Sequence, residues 1–320
     1  MLLKCSLFLL CAPLLAGPVL SAQELLWKER APLPLPRSGY MAGVIGGKYV
    51  VAGGSYWVGK TKHWSTEVDI FNPASNDWSK AASLPQPRSD AASVVYGGTL
   101  YVWGGATPTR IRADALEFRN GKWSALPAAN LPAPRLYSVA VVCKGLVYLL
   151  GGISKSGDYS SVSNTFWMWN PRAPKKGWKV LPPLPGPGLI NHAMAAVNGK
   201  IYALGGATHG GKNVVNVKAA FEFDPATNKW TRLGDLPLGR RCWWGVGLSN
   251  SVLLLGGYTA EYERDVFNYR VASGELLNAG PMPHPICAAE FVRIGDSIIG
   301  TGGEVAPGVR GKWTIQAHLP

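Results

Sequence analysis

Six glycine pairs, each closing an apolar β-rich run, constrain this 320-residue chain more than any other feature. The runs read YVVAGG, LYVWGG, VYLLGG, IYALGG, VLLLGG and IIGTGG, with first glycines at 53, 104, 151, 205, 256 and 302. Consecutive pairs lie 46 to 54 residues apart. A self-similar period of that length means a repeat architecture, in which each unit is one supersecondary element that buries its apolar face against its neighbours.

Further marks recur in step. Arg37, Arg88 and Arg135 stand sixteen residues before the first three pairs, in LPRSG, QPRSD and APRLY. Downstream come FNPASNDW, FRNGKW and FDPATNKW, each a strand, a tight turn and a tryptophan, and LP or MP closes most units. In this pattern the chain resembles the kelch family over essentially everything after its leader. The resemblance implies an all-β, six-bladed β-propeller over residues 23–320, with four antiparallel strands, a to d, per blade. The diglycines then serve close backbone approach, and Trp78, Trp123, Trp178 and Trp230 serve packing between blades. The fifth unit, VASGELLNAGPMP, lacks that tryptophan.

The ends say how the ring closes. LLWKERAPLP, around Trp27, reads as a stray strand d, and GKWTIQAHLP after Arg310 supplies one strand matching strand c. The N-terminal strand should therefore complete the last blade, removing two open edges. On this reading a cut before residue 27 is tolerated and a cut to residue 36 is not.

Residues 1–22 have the layout of a secretory signal peptide: a basic start, an apolar run from Cys5 to Ala16, and small residues before Ala22. The run is too short to span a bilayer, and no later stretch is apolar enough, so the expectation is an exported protein that does not span a membrane. The net charge is +13, or +12 without Lys4. That balance favours anionic partners, yet the absence of any Lys/Arg run argues against nucleic acid. Cleavage leaves Cys143, Cys242 and Cys287, an odd number, so at least one thiol stays unpaired. Cys242 and Cys287 occupy nearly matching places in adjacent units, so a disulfide between them and two free thiols are both open readings. No Cys-x-x-Cys or His-x-x-x-His spacing suggests zinc.

In a propeller, strand a begins at the end where strand b finishes, so the PR marks and the loops after the diglycines share one mouth of the axial channel. Such a mouth is the default binding site. Strand-a entries place Arg37, Arg88, Asp90, Arg135, Tyr137, His192, Arg241 and Trp243 there, and a post-diglycine loop adds Tyr258. Arginine forks and aromatic faces suit an anionic, ring-bearing ligand. The recurring arginines have a structural reading too, as hydrogen-bond donors to neighbouring carbonyls. His192 reads as a hydrogen-bonded rim residue, and Glu290, inside a strand a, as half of an ion pair or a catalytic base.

The last unit carries something the repeat does not explain. GGEVAPGVR, residues 302–310, continues its diglycine with Glu304, a Pro-Gly turn and Arg310. The pattern Gly-Glu-x-x-Pro-Gly-x-Arg resembles that of kelch proteins related to the sialic acid mutarotases (N-acetylneuraminate epimerases), whose matching Glu and Arg have been proposed as active-site residues. The resemblance implies Glu304 and Arg310 as catalytic residues acting on a sialic-acid-like sugar by acid/base chemistry, with no metal or organic cofactor. The alternative is a non-catalytic kelch module that binds a glycan or a protein partner through the same mouth.

Overall fold

The computed structural model describes residues 23–319, so the leader expected over 1–22 lies outside the described residues. Those residues build six four-stranded antiparallel sheets around one axis. In the first blade the strands are Met41–Ile45, Lys48–Ala52, Val68–Asn72 and Asp77–Lys80, running outward in chain order. Burial follows the blade from axis to rim: the Lys48–Ala52 strand is buried over four of its five residues, and the Asp77–Lys80 strand is largely exposed.

The diglycines join blade to blade. The second glycine of every pair donates its amide to the carbonyl of the residue at the PR mark of the next blade, from Gly54 to Arg88 through Gly303 to Arg37, at 2.7–3.0 Å. The first glycine must hug that same carbonyl. Gly256 sits at φ +60°, and a Cβ there would run into the Ile286 carbonyl oxygen. The outer tryptophans complete the contact at the rim. The indole N–H groups of Trp78, Trp123, Trp178 and Trp230 donate to the carbonyls of Ala31, Ala82, Ala129 and Pro182 on the preceding segment, at 2.8–3.0 Å.

A second belt closes around the axis itself. At the entry of strand a, one residue per blade takes a left-handed conformation: Gly39, Asp90, Tyr137, Asn191, Cys242 and Ala288, with φ between 51° and 63°. Each donates its amide to the carbonyl of its counterpart in the preceding blade, Gly39 to Ala288 included, at 2.6–3.3 Å. The result is a closed ring of hydrogen bonds. Five of its six members carry a Cβ in a region that costs about 1–2 kcal/mol per residue. Such strain persists only where the surroundings over-determine it.

The last blade has the strand order expected from the two ends. Trp27–Arg30 pairs with Thr314–His318, which pairs with Ser297–Thr301 and then Val292–Ile294. The tolerated cut, however, moves upstream. Leu25 is 4% exposed within the core of this blade, and its amide donates to the Ala279 carbonyl at 3.1 Å. A cut before residue 27 therefore removes a buried side chain. The fifth blade keeps a fourth strand, Leu276–Pro281, without a tryptophan, and its pairing carries a register shift near Asp265.

Candidate functional site

Three of the b–c loops rise as two-stranded ribbons on one face: Ser55–Val58 with Thr61–Trp64, Ala207–Gly210 with Asn213–Asn216, and Glu304–Ala306 with Val309–Arg310. The last is GGEVAPGVR, folded back at Pro307–Gly308 so that Glu304 and Arg310 are cross-strand partners. The Arg310 guanidinium lies 2.8 Å from a Glu304 oxygen and donates from Nε to the Ser55 carbonyl at 3.3 Å, tying the last ribbon to the first. The Gly308 amide donates to the same Glu304 carboxylate at 3.2 Å.

Inside this collar is a cavity of about 190 Å³ lined by five members of the ring of left-handed residues, Asp90, Tyr137, Asn191, Cys242 and Ala288. It brings together five of the candidate binding and catalytic residues read from the sequence, Asp90, Tyr137, Arg241, Glu304 and Arg310, with Cys242 and Cys287. Burial pushes the Asp90 carboxyl above its usual range, opposed by Lys62, the Ser89 hydroxyl and Arg310, and reinforced by Glu304. The Asp90 charge, then burial, push the Tyr137 phenol well above its own. Arg241 is aimed from two sides: its Nη1 donates to Asn216 Oδ1 at 2.8 Å, and its guanidinium lies 4.3 Å from the Tyr258 ring centroid. Tyr258 thus positions Arg241 from behind and does not line the cavity.

Other expectations are corrected. Arg37, Arg88 and Arg135 do not face the mouth. They point outward into their blades, where Arg37 meets Asp69 at 2.6 Å with both side chains fully buried, and Arg88 meets Asp114 at 2.7 Å. Arg135 donates to Thr165 Oγ1 at 3.0 Å and lies over Trp167. Arg240, not Arg241, is their counterpart in the fifth blade, paired with Asp265 at 3.0 Å. These guanidiniums clamp the entry of strand a to the start of strand c.

His192 and Trp243 sit one residue beyond the ring, facing a smaller axial cavity of about 70 Å³ beneath it. His192 is 1% exposed, neither ring nitrogen has a hydrogen-bond partner, and burial lowers its pKa to about 3, so the imidazole is neutral. The Trp243 indole donates to the Leu204 carbonyl at 3.0 Å. Glu290 lines the same cavity without a cationic partner among the described residues. It accepts from the Ala42 amide at 2.9 Å and the Ser93 hydroxyl, and burial raises its pKa to about 8. The ion-pair reading of Glu290 is thereby replaced by a carboxyl held largely protonated.

Two titratable residues lining the cavity were missed in the sequence: Lys62, on the first ribbon, and Tyr159, in the b–c loop of the third blade. The length of those two loops was the available signal. Lys62 also joins this cavity to a neighbour of about 210 Å³ walled by Trp64 and Arg110, which shares Asp90 and Tyr137.

Six four-stranded blades, a diglycine at every blade junction and a polar pocket at one mouth define a repeat-built β-propeller with a candidate ligand site at that mouth. The chain belongs to the kelch-repeat family: residues 80–257, more than half of it, match the family described as the KLHDC2/KLHL20/DRC7 Kelch-repeats domain. It is 28% identical over 306 residues to Kelch-like protein terF of Aspergillus terreus, covering 92% of this chain and 55% of that protein. It is 27% identical over 240 residues to Kelch-like protein 25 of Xenopus tropicalis, covering 72% and 38%. The chain thus spans about half the length, or less, of these curated relatives. Among solved structures, that titled "Structure of YjhT" superposes with a TM-score of 0.73 at 18% identity, covering 89% of this chain and 95% of that one, a likeness of fold.

Proposed function

We propose that this propeller binds an acidic sugar of the sialic acid type in the mouth cavity and interconverts its anomers by acid/base catalysis, in an exported setting. The observation that carries the reading is the convergence of two carboxylates, Asp90 and Glu304, with Lys62, Arg241 and Arg310 in one pocket. Opening a cyclic hemiketal needs a base for the anomeric hydroxyl proton and an acid for the ring oxygen, and closing on the other face reverses both transfers. Glu304, the anionic half of an ion pair, is the base. Asp90, whose burial favours its protonated form, is the acid. Arg241 and Lys62 take the sugar carboxylate, and Arg310 steadies charge that develops on oxygen. Calorimetric titration with N-acetylneuraminate tests the binding half: Arg241→Met should weaken binding at least tenfold, and no heat from wild-type protein with any acidic sugar would end the proposal.

One observation favours a second reading, a non-catalytic docking module. Trp57, Val58, Val215 and Val309 are exposed apolar residues, and all four stand on the ribbons around the mouth. A collar of that kind suits a protein partner or a glycan chain.

A further inference from the structure

The two thiols at the floor of the mouth cavity form a site of their own. Cys242 and Cys287 come from the strand-a entries of the fifth and sixth blades, and both line the cavity. The amide of Ala288, the residue after Cys287, donates to the Cys242 carbonyl at 3.3 Å as one link of the axial ring. A hydrogen bond of this kind holds two backbones at about the spacing of neighbouring strands, roughly 5 Å, within the range that disulfides bridge. Both cysteines are also fastened to candidate site residues. Cys287 exchanges both backbone hydrogen bonds with Glu304, at 2.9 and 2.8 Å. Cys242 follows Arg241, which does the same with Tyr258 at 3.2 and 2.7 Å. The third cysteine, Cys143, is buried in the hydrophobic core between the third and fourth blades.

We propose that Cys242 and Cys287 are a reversible covalent modification site, a dithiol that a low-molecular-weight disulfide closes and a small thiol reductant reopens. The half-buried Cys242 reacts first, because it is the thiol the cavity exposes. Its thiolate attacks one sulfur of the small disulfide, forms a mixed disulfide and expels one thiolate. The Cys287 thiolate then attacks the Cys242 sulfur, forms the protein disulfide and expels the second. Two protein thiols are oxidised, one small disulfide is reduced to two thiols, and the two protein protons end on the departing thiols. The neighbouring Cys242 thiol and then burial push the Cys287 thiol well above its usual range, so closure accelerates as pH rises. The bridge ties the Glu304 ribbon to the Arg241 strand across the cavity floor. No sugar takes part, so this site stands or falls independently of the proposed function.

The test uses the full chain, reduced and then exposed to oxidised glutathione at mildly alkaline pH, followed by intact-mass and peptide mapping. The expected product has lost two hydrogens, carries a Cys242–Cys287 linked peptide, and returns to its starting mass with dithiothreitol. Cys143→Ser should leave the reaction unchanged, and Cys242→Ser or Cys287→Ser should abolish the loss of two hydrogens. Circular dichroism confirms that each variant is folded, and the wild-type linkage decides the matter without them. A stable glutathione adduct on Cys242 with Cys287 still alkylatable, a linkage through Cys143, or an unchanged mass would overturn the proposal.

Discussion

The Asp90 carboxylate is packed against Gly39: a Cβ at Gly39 would overlap Asp90 Oδ1, and the Asp90 amide donates to the Gly39 carbonyl at 2.6 Å. Gly39 is also the one member of the axial ring without a side chain, at φ +60°. Gly39→Ala should therefore cost about 1–2 kcal/mol in urea unfolding from backbone strain. It should also displace Asp90 and reduce sugar turnover at least tenfold. Unchanged turnover would remove Asp90 from the proposed chemistry.

Arg37 and Asp69 form a fully buried pair remote from the mouth cavity. Replacing Arg37 leaves the buried Asp69 carboxylate with only the half-exposed Lys80 ammonium, at 2.9 Å, so Arg37→Met should destabilise the protein by about 1–3 kcal/mol, less than for a charge left with no partner. Ligand affinity measured below the unfolding transition should stay within twofold of wild type. A large affinity loss in a fully folded variant would return Arg37 to the binding site.

Glu290 gives a pH dependence whose sign can be worked out. Its folded pKa is raised to about 8 from 4.5, so the folded state holds the proton more tightly than the unfolded chain does. The stability this contributes is fully present below about pH 4.5 and is lost as pH rises through 8. Glu290→Gln mimics the protonated form. It should stabilise the protein by up to a few kcal/mol at pH 8, with little effect at pH 4, as read by thermal unfolding across that range. Equal effects at both ends would show that Glu290 does not titrate as described.

Truncation separates the closing strand from what precedes it. Starting the chain at residue 25 should leave Tm unchanged. Starting it at 27 should cost about 1.5–3 kcal/mol through loss of Leu25. Starting it at 36 should expose the Thr314–His318 edge and cause aggregation in light scattering. A monomeric, fully stable chain beginning at 36 would contradict closure through the N-terminal strand.

Most of the fold was legible because its recurring residues are dictated by the backbone. A glycine pair can mean a close interblade approach, and a tryptophan after a tight turn can bridge to the preceding segment, as Trp78 does to Ala31. The direction of the arginines was not legible, since a guanidinium at a strand entry can turn toward the axis or into its blade. Acids were in view as a second recurrence: Asp69, Asp114 and Asp265 stand at the start of the third strand in three of the four blades that carry the arginine, and Thr165 takes that place beside Arg135. Glu304 and Arg310 were found because they break the repeat. Lys62 escaped because a long loop does not announce that it will fold into a ribbon over the channel mouth.

The central claim is that Glu304 moves a proton on a bound acidic sugar. The direct measurement is anomeric exchange of N-acetylneuraminate by NMR, with and without the protein. Wild-type protein should accelerate the exchange, and Glu304→Gln should abolish the acceleration while the variant stays folded by circular dichroism, since the amide still offers Arg310 an acceptor oxygen. No acceleration by wild-type protein across a panel of acidic sugars, or full acceleration by Glu304→Gln, would contradict the account.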